Sequence, residues 1–391
     1  MRRRTFASWR AFSILLTLAV TAGASSMASA QTPASSSPFF NQEEFERQLA
    51  QRSIEPEGPA DEPWIQAIQP ENVDTGQYAQ PAPWHVCFSN AGVNNPWRVV
   101  GWTTMQAEVE LHPEIERFTA VDAEGDDNKQ ISDIQDLLGQ ECDALIVSPN
   151  TTEALTPAVE QACAANILVI VFDRGVNTDC PVTFIHPIGG YAFGADAAEF
   201  LSEQVPEGGN VLALRILPGV DVLETRWAAA EIIFNQNNIN VVGVEFSEGD
   251  RARVKSIVTD YITRFGQIDG IWMDAGQDAV AAIEAFEDLG LDVPPITGED
   301  QQDFLQKWSE DDLTAVAPTY PNFQWRTPII AATMILSGQQ VPAEWVLPQP
   351  VITAENLDQY LQPNMPPQHY ALCGCENMPG FPERWGGDPA G

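Results

Sequence analysis

The sequence predicts an α/β protein with two lobes, each built on a doubly wound parallel sheet. From Trp84 onward, short apolar runs rich in β-branched residues alternate with segments of helical periodicity, which is typical of βαβ units. This alternation occurs twice in succession along the chain. Without an expected leader, roughly 360 residues remain, and this length also indicates about two domains.

The first series of elements begins where the composition changes at Trp84. Continuous apolar runs predict its strands, and apolar residues spaced three and four apart predict its helices. The predicted strands cover residues 85–89, 115–121, 144–148 and 167–172, and the predicted helices cover residues 96–111, 129–140 and 152–165.

The second series follows the same rules and forms the second lobe. Its predicted helices cover residues 189–204, 222–236, 251–265, 277–289 and 304–309. Its predicted strands cover residues 210–216, 241–246, 270–274 and 295–297.

The N-terminal region is predicted to be a secretory signal peptide over residues 1–30. Arg2–Arg4 precede an apolar run over residues 11–22, which is too short to span a bilayer. Ala28-Ser29-Ala30 has the form of a signal peptidase site, so we expect the mature chain to begin near Gln31 in the periplasm. The adjacent arginines leave twin-arginine export open beside the general route.

The segment that follows, residues 31–83, is rich in Pro, Ser, Gln and Glu. It has little periodicity apart from a helical pattern over residues 42–52. This composition predicts an N-terminal extension that acts as a tether or as a surface strap.

The composition also excludes several classes of partner. The formal net charge is −36 at pH 7, and such an acidic chain repels nucleic acid and anionic lipid. No segment after the signal is apolar enough to span a bilayer, so we expect no membrane insertion. We expect a monomer that is free in solution.

The cysteine pattern predicts disulfide bonds without fixing their pairing. An even number of cysteines in an oxidising compartment favours disulfides, although a free buried thiol at Cys87 is an equal alternative. Neither a C-x-x-C motif nor a zinc-ligand spacing occurs, so we expect no metal site, and Cys373-Gly374-Cys375 is interpreted as structural rather than redox-active. The six cysteines are Cys87, Cys142, Cys163, Cys180, Cys373 and Cys375.

Polar side chains follow the predicted strands at the points where the strands end. Ligands of open parallel sheets bind beyond the carboxyl ends of the strands, so these side chains are the candidate binding residues. In the first lobe they are Asn95, Trp97, Arg98, Ser148, Asp173 and Arg174. In the second lobe they are Arg226, Asp274, Gln277 and Asp300.

This combination of side chains suits a sugar. Carboxylates and guanidinium groups hydrogen-bond to hydroxyls, and an aromatic ring stacks on the C–H face of the sugar. Taken singly, each residue has a structural alternative: Asp173-Arg174 as a surface ion pair, Arg226 as a solvated helix residue, Asp274 and Asp300 as helix N-caps, and Trp97 as a core residue. Their joint placement at strand ends favours a site.

The chain resembles the periplasmic sugar-binding proteins of the ribose, galactose and galactofuranose type from about Trp84 to about Tyr370. The resemblance depends on the order and spacing of several short sequence motifs taken together. They are Phe88-Ser89-Asn90, Asn95-Pro96-Trp97-Arg98, Lys129-Gln130-Ile131-Ser132, Cys142 to Pro149, Phe172 to Val176, Gly270 to Gln277, Ile296 to Asp300 and Pro350 to Thr353.

The resemblance implies that the ligand is a monosaccharide held by residues of both lobes. In the family pattern, the first lobe uses the positions of Trp97, Arg98, Asp173 and Arg174. The second lobe uses the positions of Arg226, Asp274 and Asp300, and a polar hinge position falls at Thr319 or Tyr320. Family members often carry Asn-Asp where this chain has Asp274-Ala275, and often a second aromatic residue where it has Arg98, so the identity of the sugar stays open.

The resemblance further implies an architecture and partners. Three hinge crossings are expected near residues 187–189, 316–321 and 340–348. The first lobe then comprises residues 84–187 and 321–345, and the second comprises residues 188–320 and 346–391. The expected partner is the membrane permease of an ABC importer, with a chemoreceptor or sensor kinase as the alternative, and no cofactor is expected.

An exported carbohydrate-active enzyme is the remaining hypothesis. The sequence disfavours it, because no G-x-S-x-G, H-E-x-x-H, phosphate-loop or dinucleotide-binding motif occurs. The four histidines are also far apart in the sequence. We therefore predict a binding protein without catalytic residues.

Overall fold

A computed structural model describes residue 35 and residues 37–389. The expected signal peptide, residues 1–30, and its cleavage site near Ala30 lie outside the described residues. Within the described part of the chain, no helix has both the length and the apolar character that crossing a bilayer requires.

Strands and helices alternate along most of the chain. The strands are β1 (Asn72–Val73), β2 (Trp84–Asn90), β3 (Ile115–Asp122), β4 (Ala144–Ser148), β5 (Leu168–Phe172), β6 (Thr183–Pro187), β7 (Asn210–Arg215), β8 (Asn240–Phe246), β9 (Gly270–Met273), β10 (Ile296–Thr297), β11 (Ala315–Pro318), β12 (Val341–Pro342), β13 (Glu344–Leu347) and β14 (Val351–Ile352). The α-helices are α1 (Gln42–Gln51), α2 (Pro96–Glu110), α3 (Asp127–Leu138), α4 (Thr152–Ala164), α5 (Gly190–Gln204), α6 (Asp221–Gln236), α7 (Arg251–Phe265), α8 (Ala279–Asp288), α9 (Gln302–Asp311) and α10 (Thr327–Leu336).

Two six-stranded sheets organise the lobes. The first has the order β13-β6-β5-β4-β2-β3, and its neighbouring strands all run parallel. The second has the order β14-β11-β10-β9-β7-β8, with β14 antiparallel at its edge and the other pairs parallel. The strand order reverses within each sheet, so the predicted pair of doubly wound α/β lobes is confirmed.

Each sheet carries its own hydrophobic core, because its strands are short apolar runs covered by helices. The core of the first lobe includes Val86, Phe88, Ile146, Ile170 and Phe172. The core of the second lobe includes Leu212, Leu214, Ile271, Met273 and Phe304.

The chain passes between the two sheets after β6, after β11 and after β13. The first two crossings fall at the expected hinge positions. The third follows β13, because all four residues of Glu344–Leu347 pair with β6 of the first sheet. The first sheet therefore extends to Leu347, past the predicted lobe boundary at residue 345.

Several strands and one helix of the structure are absent from the elements that the sequence predicts. β6, β11, β13 and β14 are short, and β6 carries His186 and Pro187, which weaken a strand pattern. Helix α10 is apolar around most of its circumference and packs into the first core, so it lacks the polar face that reveals a helix in sequence.

The N-terminal strap, residues 37–83, packs against both lobes. Phe45 of α1 is buried and makes an edge-to-face contact with Tyr191 of α5 in the second lobe, with ring centroids 5.6 Å apart. Arg47 of the same helix forms an ion pair of 2.7 Å with Glu344 of β13 in the first sheet. The segment is therefore a strap rather than a free tether.

The C-terminal segment, residues 353–389, also contacts both lobes. The backbone N–H of Gln302 in the second lobe donates to the carbonyl oxygen of His369 at 2.8 Å. The indole N–H of Trp385 donates to the hydroxyl of Thr104 on α2 in the first lobe at 3.0 Å. The segment therefore does not belong to the second lobe alone, in contrast to the predicted boundary.

The six cysteines form three disulfide bonds: Cys87–Cys142, Cys163–Cys180 and Cys373–Cys375. Cys87 is bonded, so the alternative of a free buried thiol at this position is wrong. Cys87–Cys142 joins β2 to the loop that precedes β4, and Cys163–Cys180 joins α4 to the loop between β5 and β6. The third bond lies within the C-terminal segment.

Truncation of Phe45 tests whether the strap contributes to folding stability. Loss of this buried ring in Phe45→Ala should lower the free energy of unfolding by about 3 kcal/mol, because both apolar burial and packing against Tyr191 are lost. Urea denaturation measures the change. Phe39→Ala is the control, since Phe39 lies in the same strap and is 37% exposed. Equal effects of the two substitutions would contradict a packed strap.

Candidate functional site

A cavity between the lobes is lined by residues from the carboxyl ends of both sheets. Most of the predicted binding residues lie on its wall. Those that line it are Asn95, Trp97, Arg98, Asp173, Arg174, Arg226 and Tyr320.

The first-lobe wall is centred on a buried ion pair. The Nη2 atom of Arg98 lies 2.6 Å from the Oδ2 atom of Asp173, and the two residues are 3% and 5% exposed. The side chain of Asn95 accepts a hydrogen bond from the backbone N–H of Arg98 and so caps α2, with Pro96 in the first turn. Capping fixes the start of α2, and the arginine is thereby directed at the end of β5.

Ser148 supports this ion pair from behind the cavity wall. Its hydroxyl oxygen lies 3.4 Å from both the Nη1 atom of Arg98 and the Oδ2 atom of Asp173. Asn90 at the end of β2 accepts a second hydrogen bond from Arg98 at 3.4 Å. The structure thus places Ser148 among the neighbours of the ion pair and not on the cavity surface.

The backbone at Asp173 adopts a left-handed conformation, with φ of 69°. Aspartate tolerates this region better than most residues, and such backbone is common at ligand sites. The conformation directs consecutive side chains, Asp173 and Arg174, towards the same cavity. Arg174 donates to the carbonyl oxygen of Asn150 at 2.5 Å. Burial and the nearby charge of Arg98 lower the pKa of Arg174 to about 10.

Two aromatic residues close the hinge side of the cavity. The indole N–H of Trp97 donates to the backbone carbonyl of Tyr320 at 2.9 Å, and the two rings lie 5.9 Å apart. The hydroxyl of Tyr320 donates to the backbone carbonyl of Asp173 at 3.0 Å. Both residues line the cavity, and the guanidinium carbons of Arg98 and Arg226 lie 5.8 Å and 5.2 Å from the ring centroids of Trp97 and Tyr320 respectively.

Arg226 forms the centre of the second-lobe wall. Its Nη1 atom lies 3.0 Å from the Oε1 atom of Glu299 and also donates to the backbone carbonyl of Asp274. Its guanidinium lies 3.8 Å from the ring centroid of Phe193 on α5. Gly194 permits this approach of α5 to α6, because a Cβ atom there would clash with the backbone carbonyl of Arg226.

The acidic residue after β10 that lines the cavity is Glu299, and not its neighbour Asp300, which the strand-end pattern predicts. Glu299 lines the cavity, and its Oε2 atom accepts a hydrogen bond from the backbone N–H of Gly276 at 3.1 Å. Gly276 is required at this contact, because a Cβ atom would lie 2.6 Å from the Cβ of Glu299. Neighbouring side chains of an extended segment point to opposite sides, so only one of Glu299 and Asp300 can face the cavity. This alternation is the sequence signal that makes Glu299 an alternative to Asp300.

Asp274 and Asp300 lie behind the wall and hold backbone in place. The Oδ1 atom of Asp274 accepts from the N–H of Ile216 at 2.8 Å, and the Oδ2 atom of Asp300 accepts from the N–H of Leu372 at 2.8 Å. Both side chains are fully buried. The side chain of Gln277, a further predicted binding residue, lies outside the described part of the structure.

Tyr370, from the C-terminal segment, also lines the cavity. Its hydroxyl lies 3.3 Å from the Oε1 atom of Gln301, and residues 301 and 370 form an isolated β-bridge. Tyr370 does not directly follow a strand or a recognisable motif in the sequence. Its place in the cavity wall is therefore evident only from the course of the C-terminal segment in the structure.

Residues 86–340 match the family model described as the periplasmic binding protein domain. The chain belongs to this family. The match covers most of both sheets, without the edge strands β13 and β14, and it includes the lining residues from Asn95 to Tyr320. The N-terminal strap and the C-terminal segment of this periplasmic binding protein lie outside it.

Several known proteins are similar to part of this chain in sequence or in fold. The ribose import binding protein of Bacillus subtilis (strain 168) is 27% identical over 221 residues, which are 56% of this chain and 72% of that protein. The xylitol-binding protein of Mycolicibacterium smegmatis is 23% identical over 60% of this chain and 68% of its own length. A solute binding protein of Bacillus halodurans with bound myo-inositol has the same fold, with a TM-score of 0.66, 21% identity, and coverage of 72% of this chain and 98% of that chain.

Two carboxyl groups of this periplasmic binding protein have strongly raised pKa values. Burial raises the pKa of Asp274 to about 7, against the opposing effect of Arg226 and Arg215. Burial, assisted by the negative charge of Glu299, raises the pKa of Asp300 to about 7. The Oδ1 atom of Asp300 has no hydrogen-bond partner among the described residues.

Asp300→Asn tests the effect of this carboxyl on stability. A carboxyl whose pKa is higher in the folded than in the unfolded state lowers stability as the pH rises from about 4 to about 7, because the folded state keeps its proton longer. The neutral amide removes this loss. We subtract the free energy of unfolding of the parent from that of Asp300→Asn at each pH. This difference should be larger at pH 7 than at pH 4 by at least about 1 kcal/mol.

Urea denaturation across this pH range measures the difference. Asp292→Asn, at an exposed position of the same lobe, provides the matched control. Parallel stability curves for the parent and Asp300→Asn would show that the buried carboxyl does not titrate as described.

Proposed function

We propose that this periplasmic binding protein binds a monosaccharide between its lobes and delivers it to the membrane permease of an ABC importer. The observation that carries the proposal is the pairing of charged groups on opposite walls of one cavity, Arg98 with Asp173 and Arg226 with Glu299. Relatives named for ribose and xylitol binding support a small polyhydroxylated ligand.

The ion pairs orient donors and acceptors before the ligand arrives. The Asp173 carboxylate has further acceptor capacity, and guanidinium groups have further donors, so sugar hydroxyls bind without rearrangement of the wall. A hydrogen bond to a charged group contributes about 1.5–3 kcal/mol, so several of them support tight binding. The rings of Trp97 and Tyr320 offer apolar faces for the C–H surface of the ring.

Lobe closure couples binding to delivery. Because each lobe supplies one ion pair, a ligand gains its full set of contacts only when the lobes are closed, and binding shifts the population towards that state. The hydroxyl of Thr152 in the first lobe donates to the carboxylate of Asp221 in the second, which adds a contact between the lobes. The permease then recognises the closed form.

The proposal includes export of the chain as a monomer to the periplasm. The basic start, the apolar run over residues 11–22 and the Ala28-Ser29-Ala30 sequence support cleavage near Ala30. The family match supports the same compartment.

A thermal-shift screen of the mature protein tests the ligand class. Pentoses, hexoses, alditols and inositols are each added in excess. A true ligand at about 100 times its dissociation constant stabilises the folded state by about 2.7 kcal/mol, which raises the midpoint. If none of these compounds raises the midpoint, the monosaccharide proposal fails.

Asp173→Asn tests the assigned wall. Asparagine is similar in size and tolerates the same backbone conformation, but it leaves Arg98 without its anion and a ligand with a weaker acceptor. We expect the affinity for the sugar found in the screen to fall at least about tenfold in calorimetric titration. Asp179→Asn, an exposed substitution in the same lobe, is the control. Unchanged affinity of Asp173→Asn would remove Asp173 from the site.

A further inference from the structure

One loop gives the cavity an apolar side. The connection from β7 to α6 together with the first three residues of α6, residues 216–223, is here called the aliphatic loop. It contributes a group of branched hydrocarbon side chains to the cavity wall. These are Ile216, Leu217, Val220, Val222 and Leu223.

Much of the loop's own backbone is already hydrogen-bonded inside the second lobe. The N–H of Ile216 donates to Asp274, and its carbonyl accepts from the N–H of Glu248. The N–H of Gly219 donates to the carboxylate of Glu224 at 2.7 Å. The carbonyl of Val220 accepts from the first turn of α6. The N–H groups of Ile216 and Gly219 are therefore not available as donors to a ligand hydroxyl.

The charged lining residues lie outside the aliphatic loop, and Arg226 follows it within the next turn of α6. Arg98, Asp173 and Arg174 stand on the first lobe, and the Arg226–Glu299 pair stands on α6 and after β10. The cavity wall therefore combines five charged side chains with the five aliphatic side chains of this loop.

We infer that the ligand is a monosaccharide whose terminal carbon is a methyl group in place of a hydroxymethyl group, and that this methyl group faces the aliphatic loop. The inference rests on the proposed function of the same cavity. A hydroxyl loses its hydration when it is buried against hydrocarbon and finds no acceptor there, whereas a methyl group gains from the burial.

The size of the discrimination follows from the chemistry of the wall. An apolar pocket rejects a ligand that merely adds a hydroxyl by up to about 100-fold. We expect a methyl-ended sugar to bind at least about tenfold more tightly than its hydroxymethyl counterpart.

Matched pairs of sugars test this inference. Each pair differs only at the terminal carbon: D-fucose with D-galactose, L-fucose with L-galactose, and L-rhamnose with L-mannose. Isothermal titration calorimetry on the mature protein gives the affinity ratio within each pair. At least one pair should bind, with the methyl-ended member favoured by about tenfold or more.

Two substitutions in the loop test the assigned wall. Leu217 is 40% exposed, so Leu217→Asn adds a polar group at little risk to folding. Val220→Thr adds a hydroxyl at nearly constant volume. Either change should lower the affinity ratio of the binding pair at least about threefold, because the hydroxymethyl group gains a partner. Leu291→Asn is the control, since Leu291 is 44% exposed and lies outside the cavity wall.

The outcomes separate this inference from the proposed function. A hydroxymethyl sugar that binds as tightly as its methyl-ended partner overturns the inference, as does an affinity ratio that neither loop substitution changes. The inference also fails if only pentoses, alditols or inositols bind, while small-polyol binding itself stands. If no monosaccharide binds at all, the proposed function fails with it.

Discussion

The buried ion pair between Arg98 and Asp173 is the constraint on which the cavity depends. A charge taken out of water needs a partner and further hydrogen bonds, or its burial costs several kcal/mol. Around this pair the chain places the cap of α2 at Asn95, the hydroxyl of Ser148, and the hydrogen bond from Tyr320 to the backbone of Asp173. Removal of either charge would leave the other buried and unpaired.

The second lobe also contains a buried ion pair at the cavity, but different structural elements hold it in place. Arg226 stands on a helix that packs closely on α5 at Gly194, and its partner Glu299 comes from a strand end at a distant point of the sequence. The two lobes thus present similar charges on walls of different construction, and the segment of residues 216–223 adds aliphatic side chains to the cavity wall. A ligand with one hydroxyl-rich side and one apolar side matches this distribution.

The strap and the C-terminal segment add contacts between lobes that otherwise meet through three chain crossings. Helix α1 pairs with β13 of the first sheet through Arg47 and packs on α5 of the second lobe through Phe45. The C-terminal segment joins Gln302 to α2 and carries Tyr370 to the cavity. Any opening of the cleft must therefore accommodate these contacts as well as the hinge.

The sequence by itself determined the alternation of strands and helices, since apolar periodicity is a local property; the predicted helix over residues 251–265 coincides with α7. It also placed Arg98, Asp173 and Arg226 at the site, because strand ends meet at one edge of a sheet. Only the tertiary structure decided which neighbour faces the cavity, Glu299 or Asp300, how the cysteines pair, and that Tyr370 reaches the site. Alternation places Glu299 and Asp300 on opposite sides of the chain, but which side faces the cavity depends on contacts between residues far apart in the sequence. The same is true of the cysteine pairing and of the position of Tyr370.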